Sequence, residues 1–436
     1  MTLPMQAMLS FDQAPPLAAP LRFFLSAPLF AAAAGLLLLL LGPELLASRW
    51  TAGALAFTHL LTAGFMLQTM VGALLQILPV ATGAGVARPL GVARAVHGLL
   101  TLGLLFLVGG FLTYRSELFQ GALLCLGGGV LIFLVAVGRA LAQIPMGSTI
   151  QWALKLAVAG LGVTVLLGLS MLVNLAWGLS WPLLEITGIH LAWGLVGWGV
   201  LLLSGVAYVV VPMFLLTPAF PGWLTRLLAP LLFLLLALWS GAEAAGWGGA
   251  PLLAALVAAG CGTFALATLW LLVRSKRARL DATQRYWRLG LACAVGGAAL
   301  WAVGQLWPAL GLWPGLPLLL GMLLLVGGFM SVITGMLYKI VPFLIWLHLQ
   351  NAGQGRVLAP NMKRILAESA MARQMAAHAA SLGLLLAAVV RPAWFAWPAG
   401  LALLLSNLWL LVNLWRCLQV YRRHLRHIGE QLAAAA

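Results

Sequence analysis

Long apolar runs, each near the length needed to cross a bilayer, follow one another through almost the whole of this 436-residue chain. In hydrocarbon an unpaired backbone group costs several kcal/mol, so a crossing segment must be a helix of roughly 20 apolar residues or a strand of a closed barrel. The runs lack the alternation of apolar and polar residues that a barrel strand requires, which selects helices. Breaks at charged or Pro/Gly-rich positions predict spans over 24–42, 53–79, 94–113, 117–138, 151–179, 184–214, 225–245, 249–273, 287–307, 313–345, 377–390 and 393–415, with a polar loop at 346–376. The expected fold is an all-α integral membrane protein of about twelve transmembrane helices, one polytopic domain over 1–436.

The net charge of +16, from 24 Lys and Arg against 8 Asp and Glu, would point to nucleic acid in a soluble chain. Its placement points to topology instead. With a cytoplasmic N-terminus, the inner loops hold Arg88, Arg94, Arg139 and Arg226, a cluster from Arg274 to Arg288 and another from Arg356 to Arg373, and the tail adds Arg416, Arg422, Arg423 and Arg426. The opposite side has Arg49, Arg115 and Arg391, and it collects Glu44, Glu117, Glu185 and Glu243. That asymmetry is the positive-inside rule. It predicts a bacterial-type inner (cytoplasmic) membrane protein with both termini cytoplasmic, a lipid bilayer as partner and no nucleic acid. Met1–Pro20, with Asp12 and several prolines, reads as a cytoplasmic lead-in rather than a secretory signal. Cys125, Cys261, Cys293 and Cys417 stand singly, as small packing residues do. Phosphate-binding, His-Glu-x-x-His and dinucleotide motifs are absent.

A pattern recurs in spans two, six and ten. Each carries a Gly seven residues before a Pro: Gly72 and Pro79, Gly205 and Pro212, Gly335 and Pro342. Recurrence at every fourth span predicts three four-helix units in a pseudo-threefold arrangement, approximately 20–145, 146–280 and 281–425. The competing reading is punctuation: Gly admits a close neighbor and Pro ends a span.

Histidines are the residues best suited to metal chemistry here. His59 begins span two, 20 residues before Pro79, and His190 begins span six, 22 residues before Pro212, both toward the outer face. Imidazole suits iron, copper and zinc, and a coordinating residue inside a span is a functional candidate because leaving it unpaired is costly. Met66 and Met70 follow His59 by seven and eleven residues and read either as thioether ligands for Cu(I) or as core packing. Glu185 and Glu243 are candidates either for orienting an imidazole or for the outer interface. His97, His378 and His348 lie toward the inner face, as inner-side ligands or as interfacial residues bonded to a neighboring helix or headgroup; His424 and His427 sit in the basic tail.

Twelve spans, a threefold repeat and a histidine opening spans two and six resemble subunit I of the heme-copper oxidases, especially the cbb-type oxidase and nitric oxide reductase branch. The stretch His59-Leu60-Leu61-Thr62-Ala63-Gly64-Phe65 through Pro79 is also similar to the NnrS family, membrane proteins linked to heme, copper and nitric oxide stress. The resemblance implies an axial heme ligand at His59 and a copper ligand at His190. The oxidases' other ligands, a histidine pair on span seven and two histidines on span ten, have no counterpart, since no histidine occurs between His190 and His348. Leu320 and Met322 stand where symmetry would place the span-ten ligand, and Gly194 where some oxidases carry a crosslinked tyrosine.

Ordinary oxygen reduction is therefore not implied. The expectation is an oxidase-subunit-I-like or NnrS-like protein of respiration, denitrification or nitric oxide handling, alone or with other respiratory or denitrification membrane subunits. It would hold heme through His59 with His190 or Met322, or copper near the outer surface, or no cofactor. The alternative is a cofactorless transporter, assembly factor or partner subunit, for which Lys155, Asn174, Gln68, Gln76, Gln305 and Asn407 are the intramembrane polar candidates.

Overall fold

The computed structural model describes residues 13–143, 149–277, 279–354 and 356–434. Among them no strand occurs, and twelve helices are long and apolar enough to cross a membrane. They are α1 (Ala18–Leu46), α2 (Ala52–Thr82), α3 (Pro89–Thr113), α4 (Ser116–Ala142), α5 (Ile150–Trp177), α6 (Leu183–Leu215), α7 (Gly222–Ala244), α8 (Ala250–Val273), α9 (Ala282–Leu306), α10 (Leu316–Ala352), α11 (Glu368–Val390) and α12 (Pro392–Ala434). At 1.5 Å per residue each is long enough to cross about 30 Å of hydrocarbon. Exposed tryptophans mark many span ends, including Trp177, Trp247, Trp307 and Trp394 at one end and Trp152, Trp223 and Trp270 at the other. Such rings, apolar in body and polar at one atom, settle at the two membrane interfaces. Asp12, with the rest of the first twelve residues, and the 145/146 junction of the expected repeats lie outside the described residues.

Three expectations change. The polar loop shrinks to the stretch between Ala352 and Glu368, with a short helical turn at Met362–Ile365, because α10 runs past its apolar part and α11 starts nine residues before the apolar run. A helix outside hydrocarbon needs no apolar face all round, only partners for its polar side. The last helix does not end at 415 but continues to Ala434 and takes in the basic tail. Pro79, Pro212 and Pro342 end nothing; each lies inside a helix that continues for at least three residues.

The chain divides into two compact units. One gathers Met70–Arg277 with Leu291–Leu316, in which α3 packs on α4, α4 on α5, α5 on α6 and α7 on α8. Its glycines set some of these distances. A Cβ at Gly160 of α5 would lie 2.1 Å from the Gly197 carbonyl oxygen of α6, an approach only glycine allows. The other unit gathers Pro20–Thr69 with the start of α9 and Pro317–Ala436, in which α12 packs against α10 and α11.

Candidate functional site

The threefold pattern carries into the backbone. The second, sixth and tenth spans each contain a π-helical segment: Leu60–Met66, Trp193–Val200 and Met322–Met330. The i→i+5 bonding is explicit where the Leu67 N–H donates to the Thr62 carbonyl and the Leu201 N–H to the Val196 carbonyl. Long π stretches are rare and gather at functional sites, because the wider turn costs backbone energy that neighbors must offset. All three occupy the same register, ending 12 or 13 residues before the repeat proline. A sequence signal for this was present and missed. Gly64, Gly197 and Gly327 each stand 15 residues before that proline, so the repeat is a two-glycine frame rather than a single Gly and Pro.

His59 is the last residue before the first π segment, and His190 lies three residues before the second. Each is seven residues, about 10 Å, inside its helix rather than at the start. Both rings are half-buried. The Nδ1–H of His59 donates to the Leu55 carbonyl at 2.8 Å, and that of His190 to the Thr164 carbonyl of α5 at 2.9 Å. A carbonyl only accepts, so both rings are held in the tautomer whose lone pair is on Nε2, the arrangement a metal-binding imidazole uses. The bond within α2 is what any helical histidine can make, and His348 and His424 repeat it with Leu344 and Val420. The bond of His190 to a neighboring helix is the more selective one.

Around His190 the site is built by α5 and α6. Gly168, one turn from Thr164, makes room for the ring, since a Cβ there would lie 3.1 Å from His190 Cε1. One turn earlier in α6 the Thr187 hydroxyl donates to the Leu183 carbonyl at 2.6 Å and lies 3.3 Å from the Met171 sulfur. The π segment is pinned by Trp193, whose Nε1 donates to the Ser240 hydroxyl of α7 at 2.9 Å. Glu185 and Glu243 are exposed, and the partner in place at His190 Nδ1 is the Thr164 carbonyl.

His59 belongs to the other unit, where its π segment packs directly against the π segment of α10 that begins at Met322. His59 and Met322 both stand 20 residues before their repeat prolines. Met322, Met66 and Met70 are buried; Met66 closes the π segment and Met70 lies one turn further along α2. Among the described residues no three His, Cys, Asp or Glu side chains group as a metal site.

The histidines expected toward the inner face separate. His97 and His348 are half-buried in α3 and α10. His424 and His427 face a cleft of about 850 Å³ with Arg356, Lys363 and Arg364. His378 is fully buried, ten residues into α11 rather than at its start, and its Nε2 lies 2.8 Å from the Ser331 hydroxyl of α10.

His378 borders a polar cluster that sequence reading did not assemble. The Tyr286 and Tyr338 hydroxyls both donate to Gln374 Oε1, the second at 3.0 Å. Gln374 Nε2 donates to the Ser406 carbonyl at 3.1 Å, and Asn413 Nδ2 to the Tyr338 hydroxyl at 2.9 Å. The Tyr286 and His378 rings are 5.4 Å apart. Toward the basic end, Lys339 pairs with Asp281 at 2.7 Å, and Asp281 and Glu368 both accept from backbone N–H groups at the N-terminus of α9. One residue from each of α9, α10, α11 and α12 thus meets at Gln374. The readable trace was Gln374, His378 and Ser381, spaced four and three apart on one helical face.

Fold and sites together define an all-α, multi-pass membrane protein with a threefold internal motif. No protein-family model and no curated protein matches the chain.

Proposed function

We propose that this chain is a heme-copper oxidase subunit I-like or NnrS-like protein of the inner membrane, binding heme or copper and serving respiration, denitrification or nitric oxide handling, without being a standard oxygen reductase. The observation that carries this reading is the recurrence of a π segment at one register of α2, α6 and α10, with His59 and His190 at the head of two of them. The basic loops and tail favor a cytoplasmic placement of both termini.

The donor set suits heme or copper chemistry. An imidazole and a thioether are an axial pair for heme and soft enough for Cu(I). For heme, His59 and Met322 are the pair favored by packed π segments and equal register. For copper, His190 is favored together with Met171, whose sulfur lies against Thr187 one helical turn before His190, over Met66 and Met70, whose own side chains are buried. When bound, such a center would supply one-electron transfer or a diatomic-gas ligand position. The chain's own part is to fix each Nε2 through the Leu55 and Thr164 carbonyls and to exclude water with apolar π-segment side chains.

A cofactorless transporter, assembly factor or partner subunit is favored by a different observation. Ser381 Oγ and Asn413 Oδ1 are buried beside the Gln374 cluster with no hydrogen-bond partner among the described residues, which leaves polar valences for water or a passing solute. An absorption spectrum of the detergent-purified protein, oxidized and dithionite-reduced, separates the two when run with metal analysis on wild type, His59→Ala and His190→Ala. A stoichiometric Soret band or copper content lost in either variant is expected. A colorless, metal-free, well-folded wild-type sample would overturn the redox reading.

A further inference from the structure

The first and last spans meet backbone to backbone within one unit. A Cβ at Gly35 would lie 2.4 Å from the Leu404 nitrogen, and one at Gly400 would lie 2.5 Å from the Leu39 nitrogen. Toward the basic end of the same helices the contact gives way to an open groove of about 610 Å³. Leu25 and Leu29 of α1 form one wall; Leu411, Val412 and Trp415 of α12 form the other. Arg22 and Arg416 stand at its mouth, with Ser26 and Gln419 beside them. The Arg422 guanidinium lies 5.6 Å over the Trp415 ring.

We propose that this groove binds one anionic phospholipid of the leaflet at the basic end, its phosphate between Arg22 and Arg416 and one acyl chain along the leucine walls. The polarity gradient carries the argument. From Arg22 to Leu29 is seven residues, about 10 Å along the helix, and over that distance the lining passes from the guanidinium through Leu25 and Ser26 to Leu29, charged at one end and apolar at the other as a phospholipid is. Lipid tails are as apolar as leucine, so the walls give shape but no net hydrophobic gain. Discrimination must come from the mouth. Two guanidiniums with fork geometry favor a phosphate diester carrying net negative charge over a zwitterion, whose own ammonium they repel.

The test is native mass spectrometry of the full chain, delipidated in detergent and offered equal dioleoyl phosphatidylglycerol and dioleoyl phosphatidylcholine. Wild type is expected to retain phosphatidylglycerol preferentially. Arg22→Gln with Arg416→Gln is expected to lower that preference by about 30-fold, from about 1 kcal/mol for each basic residue near an anionic headgroup. Arg22→Lys with Arg416→Lys keeps the anionic preference, and Leu29→Trp, which fills the groove and leaves the charges, lowers retention of phosphatidylglycerol. Equal retention of the two lipids by wild type would overturn the proposal. So would an unchanged preference in the double glutamine variant with normal helical circular dichroism, or displacement of phosphatidylglycerol by inorganic phosphate alone.

Discussion

Gly160→Ala and Gly162→Ala form a matched pair in α5 that isolates how closely this helix must approach the π segment of α6. At Gly160 the added methyl would sit 2.1 Å from the Gly197 carbonyl oxygen and 2.4 Å from its carbon. Carbon to carbonyl oxygen contacts settle near 3.3 Å, so the two backbones must part by about 1.2 Å. The obstruction is main chain, and no rotamer change relieves it. A gap of up to about 1 Å forfeits a quarter to a half of each dispersion contact along the interface, and overpacking of this kind costs about 1–3 kcal/mol. At Gly162 the same methyl would meet Leu134 Cδ1 at 3.8 Å, an ordinary contact.

Both variants gain the same helix-forming advantage of alanine, about 0.5–1 kcal/mol, so it cancels between them. Gly162→Ala is expected to be neutral or stabilizing, with Gly160→Ala about 1–3 kcal/mol less stable than Gly162→Ala. The assay is reversible unfolding in mixed micelles of increasing sodium dodecyl sulfate content, followed by far-ultraviolet circular dichroism. Midpoints for the two variants that agree within about 0.3 kcal/mol would refute the claim that the π segment is held by direct backbone contact.

Two further substitutions test other contacts in the same assay. Gln374→Ala removes the acceptor shared by Tyr286 and Tyr338 and leaves two buried hydroxyls to find new partners; a loss of about 1–3 kcal/mol is expected, and a loss below about 0.3 kcal/mol would show that the cluster ties nothing together. Thr51→Ala deletes the cap whose hydroxyl oxygen accepts from the Ala54 N–H at 3.0 Å and donates to the Leu45 carbonyl; about 1 kcal/mol is expected, with Thr51→Ser retaining most of it, and equal losses in both variants would refute the capping role.

The spans were legible because hydrocarbon leaves a chain one solution, and their apolar centers needed no knowledge of neighbors. The ends were less so. Glu368, Arg373 and Gln374 look like loop by composition, yet they are the first turns of α11: Glu368 accepts from the N-terminus of α9, and Gln374 takes two tyrosine hydroxyls. Those partners are 36 to 88 residues away in the chain, and no local pattern announces them. The placement of His378 failed for the same reason, since the serine that receives it lies 47 residues earlier. The π segments differ. Their composition is ordinary for a span, but their register was written in Gly64, Gly197 and Gly327, and aligning the three spans on their prolines would have shown it.

That shared register bears on how the two readings of the protein relate. Punctuation by Gly and Pro accounts for close helix approach, but it gives no reason for a strained backbone at one place in three spans, least of all when the prolines fall inside their helices. A repeated frame does give one: each π segment is braced by a neighbor, as Gly197 is by Gly160 and as Gly328 is by Gly290, where a Cβ would lie 2.9 Å from the Gly328 carbonyl oxygen. The frame is therefore independent of what it holds. His59 and Met322 share a register position that is Ala192 in the middle repeat, and His190 shares one with Phe57 and Leu320. Side chains at the head of the segments differ between repeats while the backbone device stays, so replacing His59 or His190 should leave the stability of the bundle nearly unchanged, whereas Gly160→Ala, which separates two backbones, should lower it.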